Sequence, residues 1–341
     1  MKETGIKELR SYIEQAMRAC GLTEENAGTV ADVFIRATLR GVGHHDIYDF
    51  LPRVQWLREG KAVPNPVYRL QAAFGGVESY DAGNGLGELG CSFGMERAMQ
   101  LAEEHGIGLC ALRNTNHFLA AAPYVERAAE KGFIGLLLCK GGVSMGAPGR
   151  PGACMSALPM GFAYPTDGIY PVMLDACMAY ASFGQLQMRA KKGEPVPEWW
   201  GLDKEGKPTA DPMKLAQGTR FPIGGHKGFG LAMLGEVLTS VLSQGCILDE
   251  KETGDGLQNW SAHTAIAIKA DALMDIGAFK KRAGTLSRRS EARAPGLHIP
   301  GMGSWKAREA FTGKGAFSLE DELCEKLDQI AGELNIPKLS K

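Results

Sequence analysis

The sequence predicts an α/β chain with α+β character on three observations: a helical pair at the start, a hairpin after it, and helices that then alternate with short apolar strands. Leu9, Ile13, Ala16, Met17 and Cys20 recur at helical spacing and stop at Gly21. Thr23 caps a second helix carrying Ala27, Val30, Ala31, Phe34 and Thr38, which ends at Gly41. A short polar loop, residues 43–50, precedes a stretch to Gly60 in which Leu51, Val54 and Leu57 share one helical face. Runs 67–71 and 77–81 flank Gly75-Gly76 and read as a hairpin. A helix near 92–105, a buried strand 107–112, a helix near 123–131 and an apolar strand 133–139 follow in alternation. Residues 141–152 form a Gly/Pro-rich loop, and 160–163 and 172–174 read as strands on either side of the turn Pro165-Thr-Asp-Gly168. After a helix near 180–192, residues 228–242 read as a long apolar helix and 263–269 as an alternating strand. Residues 318–333 read as an amphipathic helix opening with a Ser318-x-x-Asp321 cap.

Composition narrows the function classes. The chain has 341 residues, 44% hydrophobic and 23% charged, a globular profile whose length suggests two domains at roughly 150 residues each. Lys and Arg number 38 against 39 Asp and Glu, so no large field favours nucleic acid or an anionic membrane, and a small molecule is the expected partner. The most apolar stretches, 133–139 and 231–242, fall short of the ~20 residues that span a bilayer. Residues 1–10 lack the apolar core of a signal peptide, which points to the cytoplasm. The eight cysteines contain no C-x-x-C pair, so they read as small buried hydrophobes and no metal site is expected from them.

Four segments carry candidate chemistry. Gly85-Leu-Gly87-Glu-Leu-Gly90 fits G-x-G-x-x-G between a strand and a helix, either as a phosphate loop or as a plain glycine turn, with no acidic ribose partner after the next strand. His44-His45-Asp46 with Asp49 packs two imidazoles and two carboxylates into six residues. That density suits acid/base work near neutrality, a metal site or a solvated loop. Arg113-Asn-Thr-Asn116-His117 emerges at the carboxyl end of an apolar strand, and Asp175 ends another, as a ligand contact or a helix cap. Pro222-Ile-Gly-Gly-His226-Lys227-Gly228-Phe-Gly230 sets one cation among glycines at the start of a helix, which suits phosphate or serves as a structural turn. It lacks the spacer and Ser/Thr of a Walker A loop.

Together these segments resemble the malate/L-lactate dehydrogenase-like family of NAD(P)H-dependent oxidoreductases over nearly the whole chain. Residues 105–117, 222–231 and the helical opening that delivers His45 carry the likeness. The resemblance implies a non-Rossmann fold, which demotes the glycines at 85–90 to a turn. It also implies a homodimer with a catalytic and dimerisation domain made of residues 1–118 and 296–341, around a central cofactor-binding domain, 119–295. It places His45 at the catalytic histidine and Asp175 at a supporting acid. Leu174, Asp175, Ala176, Cys177, His226, Lys227, Gly228, Gly301, Met302 and Gly303 fall at the cofactor, NAD or NADP. Asn116 and His117 fall on the substrate side, joined by His44, Asp46, Asp49 and Arg53 around the catalytic histidine.

Two departures bear on the substrate. The family's Ser-His-Gly-x-x-Arg is written His44-His45-Asp46-Ile-Tyr-Asp49 here, so the arginine that would grip a carboxylate is an aspartate, and Arg53, one turn on, is the nearest replacement cation. The family's Gly-x-Asn-Pro becomes Ser156-Ala-Leu158-Pro159, which removes an amide. The expected function is hydride transfer between a nicotinamide and a small polar carbonyl or hydroxy compound of the 2-oxo acid or 2-hydroxy acid type. The alternative is a metal-dependent hydrolase built on His44, His45, Asp46 and Asp49.

Overall fold

The computed structural model describes residues 1–250 and 261–339. At its centre seven strands lie in the order Arg69–Phe74, Val77–Gly85, Ile107–Thr115, Ser261–Lys269, Phe133–Cys139, Met160–Tyr164 and Val172–Ala176. Within this sheet only Val77–Gly85 and Ile107–Thr115 pair in parallel, and the other neighbours are antiparallel. A mostly antiparallel sheet with helices packed on it is mixed α/β architecture and not the parallel winding of a Rossmann domain.

The parallel pair needs a crossover, which the helix Gly87–His105 supplies. It buries Leu89, Cys91, Met95, Ala98 and Ala102, and the core continues into Leu9, Ile13 and Met17 of helix Ile6–Ala19 and Val30 and Phe34 of helix Glu24–Thr38. The glycines at 85–90 permit close packing: a Cβ on Gly87 would come within 2.3 Å of the Asn116 carbonyl oxygen and 2.4 Å of that of His117. They are a packing turn, and they bring a helix end against the backbone that bears two candidate site residues.

Several boundaries move. The 141–152 loop contains strand Val143–Gly146, paired with Ala153–Ser156 in a four-stranded sheet with Thr219–Arg220 and Gly201–Leu202. The last helix spans Asp321–Leu334, because Ser318 is drawn into strand Ala316–Leu319, paired with Lys2–Gly5, and Glu320 takes the cap position. The long apolar helix begins at His226 and passes at Val237 into a π-helical turn. Helices Ile276–Arg293 and Met302–Lys314 complete the fold. Among the described residues no helix is long and apolar enough to cross a membrane.

Candidate active site

The polar loop after the second helix is closed by Asp46. Its Oδ1 accepts the Tyr48 N–H at 3.1 Å and its Oδ2 the Gly43 N–H at 3.1 Å, capping a 3₁₀ turn, Ile47–Asp49, that runs into helix Phe50–Arg58. Asp46 is buried, and burial raises its carboxyl to about 6 against the pull of those amides. The expectation that Asp46 touches substrate therefore gives way to a structural role, since a carboxylate turned inward onto backbone N–H groups does not face the cleft. The closed loop holds His45 at φ +54°, an uncommon conformation that presents its ring outward.

His45 Nδ1 lies 2.8 Å from Asp49 Oδ2. A carboxylate only accepts, so Nδ1 carries the proton and Nε2 is the nitrogen left to exchange one. Burial pushes the Asp49 carboxyl upward, but the hydrogen bond and charge of His45, with Arg53 beyond, outweigh it and hold the group well below its ordinary value. The His117 ring stands 5.2 Å from that of His45. Its Nδ1 accepts from Arg53 Nη2 at 3.0 Å and from the Leu119 N–H at 3.2 Å, which places its proton on Nε2. Burial and the Arg53 charge drive its pKa well down, so His117 is a neutral donor.

Arg53 is buried and fully engaged: Nε donates to Glu88 Oε1 at 2.8 Å and Nη1 to the Asp49 carbonyl at 3.2 Å. The cation one turn beyond Asp49 thus braces His117. His44 faces Ser182 Oγ at 3.4 Å and is kept neutral first by burial and then by the neighbouring His45. Asn116 spends its amide on the carbonyls of Asn84 and Gly85, at 3.3 and 2.9 Å. His44, His45, Asp49, Arg53, Asn116 and His117 all line one open cleft of about 1500 Å³. His44, His45, Asp46 and Asp49 do not converge on a common point, which leaves the hydrolase alternative without a ligand set.

The expected cofactor segments meet along one strand and its extension. The Met173 N–H donates to the Pro300 carbonyl at 3.2 Å, and a Cβ on Gly301 would sit 3.1 Å from the Met173 carbonyl oxygen, which sets the turn of Gly301, Met302 and Gly303 beside Leu174, Asp175, Ala176 and Cys177. On the other side Ile223 N–H donates to the Met178 carbonyl at 2.8 Å, bringing up the turn that opens helix His226–Glu236. Gly224 and Gly225 hold φ of +60° and +62°, and the backbone amides and Lys227 at this helix start suit a phosphate group. Asp175 Oδ2 accepts the Ala122 N–H at 2.8 Å. Crowding by protein atoms raises its carboxyl, and the His45 charge opposes that rise across the boundary between cofactor segments and cleft. The chain continues from this strand to Ser182, whose Oγ faces His44 at 3.4 Å, and the expected cofactor residues themselves lie outside the lining of the cleft of about 1500 Å³.

Sequence reasoning missed Glu88 and His263. Glu88 lay within the glycine pattern, where attention went to the glycines. His263 read as one more residue of an alternating strand, yet its Nε2 donates to the Asn116 carbonyl at 3.0 Å. The cysteines also divide. Burial pushes Cys110 up as expected of a packing thiol, whereas Cys139 and the His263 imidazole overcome burial and draw the Cys91 thiol down.

The family profile for malate/L-lactate dehydrogenase matches residues 5–328. The 2,3-diketo-L-gulonate reductase of Klebsiella pneumoniae is 32% identical over 276 residues, covering 81% of this chain and 82% of the relative. Among solved structures, malate dehydrogenase from Entamoeba histolytica superposes with a TM-score of 0.92 at 25% identity, over 98% of this chain and 99% of its own. Sulfolactate dehydrogenase from Methanocaldococcus jannaschii does so with a TM-score of 0.88 at 28% identity, over 98% of both chains. A match of this length, on a mixed sheet of the same architecture with His45, Asp49 and His117 gathered in one cleft, establishes that the chain belongs to the malate/L-lactate dehydrogenase family.

Proposed function

We propose that the chain uses NADH or NADPH to reduce a small polar carbonyl compound, and the reverse, with His45 as the proton carrier. The His45–Asp49 contact at 2.8 Å is the observation that carries this reading. The bound nicotinamide supplies or takes the hydride. In reduction His45 Nε2 gives its proton to the carbonyl oxygen while Asp49 stabilises the imidazolium, and His117 Nε2–H donates to the same oxygen or its neighbour. Asp175 supports the positive charge on His45 from the cofactor side.

The substrate belongs to the 2-oxo or 2-hydroxy acid type of the relatives, with a further preference set by Asp49. No protein donor among the described residues reaches its Oδ1, and Arg53 is committed to Glu88 and His117. A hydroxyl or ammonium beside the carbonyl is the complementary group, and a bare carboxylate there meets repulsion. The test compares kcat/KM for pyruvate and oxaloacetate with that for hydroxyl- and amino-bearing carbonyl compounds, each with NADH and NADPH. At least tenfold preference for the second set, reduced in Asp49→Ala, is expected. Equal or greater activity on pyruvate in the wild type overturns the preference.

Lys227→Ala is expected to weaken nucleotide binding by about 1.5–3 kcal/mol, the range for a hydrogen bond to a charged group, while Lys326→Ala on the last helix leaves it unchanged. Titration of NADH and NADPH fluorescence reads both, and an unaltered Kd in Lys227→Ala would move the phosphates elsewhere.

The same helix supports a homodimer. Leu231, Leu234, Val237 and Val241 are each roughly half exposed along it, an apolar stripe that a monomer rarely leaves to water. The pairing of Lys2–Gly5 with Ala316–Leu319 ties the two chain ends together, as the division 1–118 with 296–341 around 119–295 requires, with the central sheet shared between the two parts through Ile107–Thr115 and Ser261–Lys269. Light scattering is expected to give about twice the 36.6 kDa chain mass, falling to one chain in Val237→Glu. A wild-type monomer at micromolar concentration rejects the dimer. The eight unpaired thiols are consistent with a reducing, cytoplasmic setting.

A further inference from the structure

Behind the cleft, Cys91, Cys139 and His263 meet in the core. All three are fully buried, and their Sγ, Sγ and imidazole nitrogen lie within 4.8 Å of one another, the one such group of possible metal ligands among the described residues. The fold brings them together from three elements. His263 and Cys139 are direct partners across antiparallel strands, so their side chains share one face of the sheet. The crossover helix Gly87–His105 packs on the sheet and contributes Cys91.

The orientation of the imidazole is fixed. Nε2 donates to the Asn116 carbonyl at 3.0 Å, which leaves Nδ1 as the lone-pair nitrogen. That nitrogen is buried and makes no well-formed hydrogen bond, the Cys91 thiol being the polar group set beside the ring. Glu88, one helical turn before Cys91, also leaves Oε2 buried without a partner, and its charge bears on both Cys91 and His263.

We propose that Cys91 Sγ, Cys139 Sγ and His263 Nδ1 bind a thiophilic divalent cation of the zinc type. Two thiolates and a neutral imidazole balance the double charge of the ion, so the buried assembly is neutral where an isolated charge would be heavily penalised. On binding, the protons held by the thiols leave to solvent and each sulfur donates its lone pair to the metal, with no change of oxidation state. The ion does not reach the cleft. It clamps the crossover helix to two central strands and fixes His263, whose Nε2–H holds the backbone just before His117, so the cluster acts as a positioning site for the proton-transfer pair.

The full chain is stripped of metal under reducing conditions and titrated with Co²⁺, both folded and during refolding, since burial obstructs entry into the folded core. One Co²⁺ per chain with thiolate-to-metal charge-transfer absorption is expected, displaced by Zn²⁺, with a rise in Tm on loading. Cys139→Ser and His263→Gln lose the absorption, whereas Cys154→Ser, at the exposed cysteine, retains one ion per chain. No thiolate-to-cobalt band in the wild type by either route, retention of the band in Cys139→Ser, or a Cys91–Cys139 disulfide in place of bound metal overturns the proposal. If a variant fails to fold, the wild-type titration decides alone. Nucleotide titration is independent of this measurement.

Discussion

His45→Ala is expected to lower kcat by roughly 10²- to 10⁴-fold while leaving NADH and NADPH affinity nearly unchanged, because the lost group moves a proton in the transition state and touches none of the phosphate contacts. Steady-state kinetics paired with nucleotide fluorescence separates the two effects. The geometry predicts an order among neighbours. His44→Ala removes a neutral ring that faces Ser182, so its effect is the mildest. Asp49→Asn keeps a partner at Nδ1 but removes the charge that stabilises the imidazolium, and falls between the two. Equal, small losses from His44→Ala and His45→Ala would remove His45 from the proton path.

The parts of this site that sequence made legible are those that advertise themselves chemically. Two histidines and two acids within six residues of a loop are conspicuous, and His45, Asp49 and His117 do line one cleft. What that density left undecided was direction. Asp46 and Asp49 are three residues apart, and the backbone turn alone sends one carboxylate onto amides and the other onto an imidazole. Arg53 was legible as a nearby cation, but its partner Glu88 comes 35 residues later on another helix, where no local pattern marks it. The fold shows the same division. The strand Phe133–Cys139 is a continuous apolar run and is placed to the residue, whereas helices Ile276–Arg293 and Met302–Lys314 bury only Gly284 and Trp305. Without an apolar face they carry no periodicity to read.

The buried pair beneath the site carries the largest expected stability effect. Arg53→Met is expected to cost about 3–5 kcal/mol in denaturant unfolding, because it leaves the Glu88 carboxylate uncompensated in the core. The two side chains are 3% and 0% exposed, so solvent screening relieves little of that penalty. Most of the loss comes from the orphaned charge and not from the pair itself, so Arg53→Met combined with Glu88→Leu is expected to recover much of it. Catalysis separates from stability in this double variant. His117 keeps the Leu119 amide and with it the proton on Nε2, but it loses the Arg53 donor that fixes the ring and the Arg53 charge that helps hold it neutral. The double variant is therefore expected to unfold near the wild-type midpoint and still turn over more slowly, with nucleotide Kd unchanged. A single variant as stable as wild type would mean that the Glu88 side chain finds another partner once Arg53 is gone. A double variant with full kcat would mean that Arg53 only neutralises Glu88 and that the Leu119 amide alone keeps the His117 ring placed and neutral.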